Sequence, residues 1–157
     1  MNREFKVLVV CSGNTCRSPL AAAMLADGIA RQPALSNVRV SSAGTSAWDG
    51  SPVSEGSYLV GLERGLDLGE HRARLLTREL VNQADLILTM TAAHLQRVLD
   101  LGGRDKAATL VEYAGAEGAE DIPDPFGGDV AEYRASAGII EKLVDPVVAR
   151  LKSEAAR

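Results

Sequence analysis

The run Phe5-Lys6-Val7-Leu8-Val9-Val10 leads straight into Cys11, and Ser18-Pro19 with an Ala-rich stretch to Ile29 follows at once. A short, nearly continuous run rich in β-branched residues reads as a strand buried on both faces. Ser18-Pro19 reads as a helix start, because a Ser hydroxyl can cap free backbone N–H groups and Pro suits the first helical position. A buried strand that turns directly into a helix is the opening of a βαβ unit, which restricts the chain to an α/β architecture. The rest of the sequence keeps that rhythm. Val38 to Ser41 reads as a second strand, Val53 to Glu63 as a helix, Leu86 to Met90 as a third strand and Ala92 to Leu99 as a helix. A brief strand is expected at Thr109 to Val111, and helical spacing runs from Val130 to Lys152, where Pro146 is expected to kink or divide the helix. Right-handed crossovers between such strands give a mostly parallel sheet covered on both faces, with ligands bound beyond the carboxyl ends of its strands. At 157 residues the chain is expected to form one domain, 1–157.

Composition narrows the function classes. Seventeen Lys and Arg against 21 Asp and Glu give a net charge of −4, with no basic run of the kind that holds nucleic acid or an anionic membrane. No stretch approaches the ~18 apolar residues of a membrane span, and Val7 to Val10 is too short for a signal-peptide core, so a cytoplasmic location is expected. Two cysteines, Cys11 and Cys16, are too few for the disulfide framework of a secreted domain. Neither sits in a Cys-x-x-Cys pair, and His71 and His94 complete no usual zinc spacing, so neither metal nor cofactor is expected.

The loop Cys11-Ser12-Gly13-Asn14-Thr15-Cys16-Arg17-Ser18 joins the first strand to the first helix, so its amides and the helix N-terminus converge on one concavity. Such a concavity binds anions. A cysteine at its base faces the same field, and the thiolate is the nucleophilic form of that side chain. Arg17 adds a planar fork of donors matched to two oxygens of a phosphoryl group. The bare Cys-x5-Arg spacing is weak by itself. The strand before it, Gly13 within it and the helix start after it supply the specificity.

These residues resemble the low-molecular-weight protein phosphatase family over nearly the whole chain. Cys11 to Pro19 resembles that family's Cys-x-Gly-Asn-x-Cys-Arg-Ser-Pro loop, Ser42-Ala43-Gly44 the segment after its second strand, and Asp124-Pro125 its late Asp-Pro loop. The resemblance implies a four-stranded parallel sheet with helices on both faces and a phosphate-binding loop after strand one. It also implies hydrolysis of a phosphorylated protein through a phosphocysteine. Cys11 would be the nucleophile, residues 12 to 18 the phosphate cradle with Arg17 as its clamp, and Asp124 the general acid and base. Asp-Pro is otherwise a common turn opener, and only the resemblance promotes Asp124. Glu117, Glu120 and Asp121 would raise its proton affinity by like-charge repulsion if they lie close to it. Asn14, Ser18, Ser42 and His71 resemble the family's loop-supporting network, and Cys16 its redox partner for the nucleophile. His94 has no counterpart in the resemblance and reads as a helix-surface residue. A monomer is expected.

Substrate class rests on a few positions. Thr15 stands where tyrosine-directed members usually carry Ile, Phe126-Gly127 where they carry two tyrosines, and Thr91 follows Met90 where they have Asp. This trio resembles the protein-arginine phosphatase branch. Thr15 offers a short side chain and a hydroxyl near a phosphoguanidinium, and Phe126 a flat wall for a planar guanidinium to stack on. Trp48 points the other way, since an aromatic near that position resembles the tyrosine-directed members, which keeps a low-molecular-weight protein-tyrosine phosphatase as the alternative. An arsenate reductase would need cysteines after Cys16, and there are none. A non-catalytic phosphoprotein-binding module would have no use for Cys11, Arg17 and Asp124 together.

Overall fold

A computed structural model describes residues 3–116 and 121–155. Four strands, β1 (Phe5–Cys11), β2 (Val38–Gly44), β3 (Leu86–Thr89) and β4 (Ala107–Thr109), form one sheet in the order β2-β1-β3-β4, every pair parallel. The helices are α1 (Arg17–Ala30), α2 (Glu55–Leu62), α3 (Arg78–Gln83), α4 (Ala92–Asp100), α5 (Leu110–Tyr113) and α6 (Val130–Glu154), with a 3-10 turn at Pro33–Leu35.

The two-residue period of β1 explains why both faces are covered. Val7, Val9 and Cys11 point to a core they share with Leu20 and Leu25 of α1, Leu110 of α5, and Ile140 and Val147 of α6. Leu8 and Val10 point the other way, into a smaller core with Ile87 of β3, Val81 of α3 and Val98 of α4. Because β1 is central and its neighbours leave in opposite directions, the crevice beyond Cys11 is the place where strand order reverses, the usual ligand position in such sheets.

Several local expectations are corrected. Helix α1 starts at Arg17 with Cys16 in the capping position and no side-chain cap, so Ser18 lies inside the first turn, with its hydroxyl on Cys11 and Asn14. The fourth strand lies at Ala107–Thr109, and Thr109 then caps α5 by accepting from the Glu112 N–H, so Leu110 and Val111 are helical. Pro146 does not divide α6, which runs unbroken while its buried stripe of Leu143, Val147 and Leu151 holds the second half on the core. The short helix α3, capped by Thr77, adds to the expected elements. No described helix is long and apolar enough to cross a membrane.

Candidate active site

The loop from Cys11 to Arg17 closes around a cavity of about 170 Å³ lined by Cys11, Ser12, Gly13, Thr15, Cys16, Arg17, Asp124 and Phe126. Cys11 is buried at the end of β1. Asn14 takes a left-handed backbone (φ 56°), which asparagine tolerates better than most residues, and this turns its N–H onto Cys11 Sγ at 3.3 Å. Ser18 Oγ lies 2.9 Å from the same sulfur. Asn14 Nδ2 donates to that hydroxyl oxygen at 2.8 Å, which leaves the Ser18 O–H free to donate to sulfur when Cys11 is a thiolate. Donors of this kind bond most strongly to an anion.

Every polar group of buried Asn14 is used. Nδ2 donates a second time to Ser42 Oγ at 2.9 Å, Oδ1 accepts from the Arg74 N–H at 3.0 Å, and the carbonyl accepts from His71 Nε2 at 2.7 Å. The last bond fixes His71 with its proton on Nε2. Burial lowers the pKa of His71, the Asn14 carbonyl opposes this, and Arg72 and Arg74 add to the lowering. Asn14, Ser18, Ser42 and His71 are thus brought together, and Arg74, which the sequence reading passed over, joins them through its backbone and through Nε to the Ser42 carbonyl at 2.9 Å. Gly44 belongs here too: a Cβ on it would lie 2.9 Å from the Asn14 nitrogen and closer still to the Ser12 carbonyl oxygen. Only glycine lets β2 pass this near the loop.

Arg17 is 4% exposed. Its Nη1 donates to the Ile122 carbonyl at 2.9 Å, Nη2 stands 3.5 Å from Asp124 Oδ2, and buried Nε has no partner among the described residues. One edge of the guanidinium is therefore anchored, and a donor is left over for a ligand in the cavity. Asp124, about half exposed, accepts from the Phe126 N–H through Oδ1 at 3.0 Å, and its segment is pinned by Ile122 N–H to the Met90 carbonyl and by Ser136 Oγ to the Pro123 carbonyl. Of the acids whose closeness would bear on Asp124, Asp121 accepts from the Ala92 N–H at 2.8 Å, while Glu117 and Glu120 lie outside the described residues.

Cys16 and Cys11 are both free thiols. Cys16 Sγ donates to Ser54 Oγ at 3.2 Å and lies 3.6 Å from the Tyr133 hydroxyl, whose pKa is raised by burial and by this contact. Thr15 and Phe126 reach the cavity wall, but Trp48 and Thr91 do not. Trp48 is 83% exposed, and Thr91 Oγ1 accepts from the His94 N–H as the cap of α4. His94 is a further correction: 5% exposed, it lies against the loop with Nε2 2.8 Å from Ser12 Oγ. Its spacing of four residues from buried Val98 on one helix face was the signal for this.

The low molecular weight phosphotyrosine protein phosphatase model matches residues 6–157. The chain belongs to that family. A protein-arginine-phosphatase of Geobacillus stearothermophilus is 37% identical over 153 residues, 96% of this chain and 98% of that protein. The probable low molecular weight protein-tyrosine-phosphatase EpsP of Ralstonia solanacearum is 37% identical over 147 residues, 94% of this chain and 96% of that protein. A solved structure of the YwlE arginine phosphatase, a cysteine-to-serine mutant with a phosphorylated active site serine, superposes with a TM-score of 0.87 at 35% identity, covering 96% of this chain and 97% of that one. The family fold is the four-stranded parallel sheet described above.

Proposed function

We propose that this family member is a cysteine-dependent protein phosphatase directed at phosphoarginine. The observation that carries the reading is the half-anchored guanidinium: Arg17 is fixed through Nη1 while buried Nε is left for a phosphoryl oxygen in the cavity that Cys11 and Asp124 also line. In the first step Cys11 Sγ attacks phosphorus, the P–N bond breaks, and Asp124 gives its proton to the departing guanidine nitrogen. Amides of the loop and Arg17 hold the three equatorial oxygens. In the second step Asp124 takes a proton from water, the water oxygen attacks phosphorus, and the S–P bond breaks to return the thiolate and release inorganic phosphate. The phosphorylated serine of the YwlE mutant supports a covalent intermediate of this kind.

Overall identity does not separate the two substrate classes, since arginine- and tyrosine-directed relatives both stand at 37%. The cavity wall favours phosphoarginine. Thr15 presents a hydroxyl where a phenyl ring would prefer an apolar flank, and exposed Phe126 offers a face to a planar cation. The test is phosphate release, side by side, from phosphoarginine and phosphotyrosine peptides of matched sequence. Wild type is expected to prefer phosphoarginine and Thr15→Ile to shift toward phosphotyrosine. A wild-type preference for phosphotyrosine would overturn the substrate assignment.

A further inference from the structure

His94 is a buried titratable group near the loop that the steps above leave unused. It enters from α4, held in place by Thr91 at the helix cap, and meets Ser12, the residue that follows Cys11 and lines the cavity. Ser12 is itself fixed through its backbone, its carbonyl accepting from the Ser46 N–H at 3.0 Å. The bond between Ser12 Oγ and His94 Nε2 can run in either direction, and the direction decides what the Ser12 proton is free to do.

Nδ1 of His94 is buried and has no partner among the described residues. If Nδ1 carried the proton, a buried N–H would be left without an acceptor; if Nε2 carries it, what remains is a bare lone pair. Orphaned buried N–H groups are the rarer of the two in folded proteins. Burial, reinforced by the Arg17 charge and opposed by Asp121 and Asp124, holds the ring neutral, with its pKa lowered to about 4, so only one nitrogen is protonated near neutral pH.

We propose that His94 is a positioning residue that donates from Nε2 to Ser12 Oγ, leaving the Ser12 hydroxyl proton free to be donated to a phosphoryl oxygen in the cavity. Ser12 thereby adds a side-chain donor to the loop amides. The inference rests on the phosphatase reading and gives it a residue that the family resemblance did not supply.

The proton position can be read directly by long-range 1H–15N correlation of the wild-type histidines near neutral pH; the ring of His94 is expected to show Nε2 protonated and Nδ1 bare. Kinetics with a phosphoarginine peptide test the consequence. Ser12→Ala is expected to lose about tenfold or more in kcat/KM, the size of one hydrogen bond to a charged group, and to weaken inhibition by inorganic phosphate in parallel. His94→Leu is expected to match that loss, and Ser12→Ala with His94→Leu to be no worse than either alone. His94→Gln, which keeps an N–H near the place of Nε2, is expected to recover most of the activity. A His94 ring protonated on Nδ1, or a Ser12→Ala enzyme with wild-type kcat/KM, would overturn the proposal, and the second result holds even if the buried His94 variants fail to fold. Failure of the phosphatase reading looks different: a wild type that releases no phosphate from any phosphopeptide.

Discussion

Arg17 Nη1 donates to the Ile122 carbonyl oxygen at 2.9 Å, and this bond joins the loop that carries Cys11 to the segment that carries Asp124. The two loops are 105 residues apart in sequence, and the buried guanidinium sets their separation. The same side chain must hold Ile122 and leave a donor for the ligand, which requires a planar fork.

Lysine has no such fork. Arg17→Lys is therefore expected to lose about a hundredfold or more in kcat/KM, the combined value of two charge-assisted hydrogen bonds, although the positive charge is kept. Steady-state kinetics on a phosphopeptide checks it; a loss below threefold would mean that charge alone is needed.

The contact of Gly44 with the loop leads to a stability contrast between two glycines. Gly44→Ala drives a methyl into the Ser12 carbonyl and the Asn14 nitrogen and is expected to cost about 1–3 kcal/mol, with weaker inhibition by inorganic phosphate. Gly13→Ala meets only the Thr15 hydroxyl at 3.4 Å and is expected to be much milder. Urea unfolding of the two variants decides it, and equal losses would contradict the account.

His94 ties stability to pH. The unfolded chain takes up a proton at the ordinary imidazole value of 6.5, the folded one only near 4, so the unfolded state binds more protons between these values. Stability therefore falls as the pH drops from about 6.5 toward 4, and the lowered pKa of His71 acts in the same direction. His94→Gln removes the larger part. Between pH 7 and pH 5 the wild type is expected to lose up to about 2 kcal/mol more than this variant, read from urea midpoints. Parallel losses would show that His94 is not held neutral.

How much of this the sequence shows depends on how local each feature is. The loop from Cys11 to Arg17 is legible because strand, loop and helix are contiguous and each has its own residue signature. Asp124 is not legible from composition, since an Asp-Pro turn looks the same with or without chemistry, and it entered through family resemblance. The position of Ser18 before Pro19 suits a cap, but tertiary structure turns its hydroxyl to Cys11 and Asn14 instead. Arg74 and His94 act across contacts between distant segments, and of these two only His94 leaves a trace, in its register with Val98; Gly44 is marked by the resemblance of Ser42-Ala43-Gly44 alone.

Asp124 as proton donor has a signature that depends on the leaving group. Asp124→Asn is expected to slow release from a substrate with a poor leaving group by about 10²–10⁴-fold, and to affect an activated aryl phosphate less in the first step. Rates on an alkyl and a nitrophenyl phosphate compare the two, and an unchanged rate on the poor leaving group would remove Asp124 from the acid role.

In the proposed reaction the phosphoryl group passes from arginine to Cys11. Wild-type protein mixed with a phosphoarginine peptide, quenched rapidly and digested for mass spectrometry, shows whether it does. One added phosphoryl group is expected on the peptide that contains Cys11, and none after Cys11→Ala. Phosphate release with no labelled enzyme, or with the label on another residue, would contradict it.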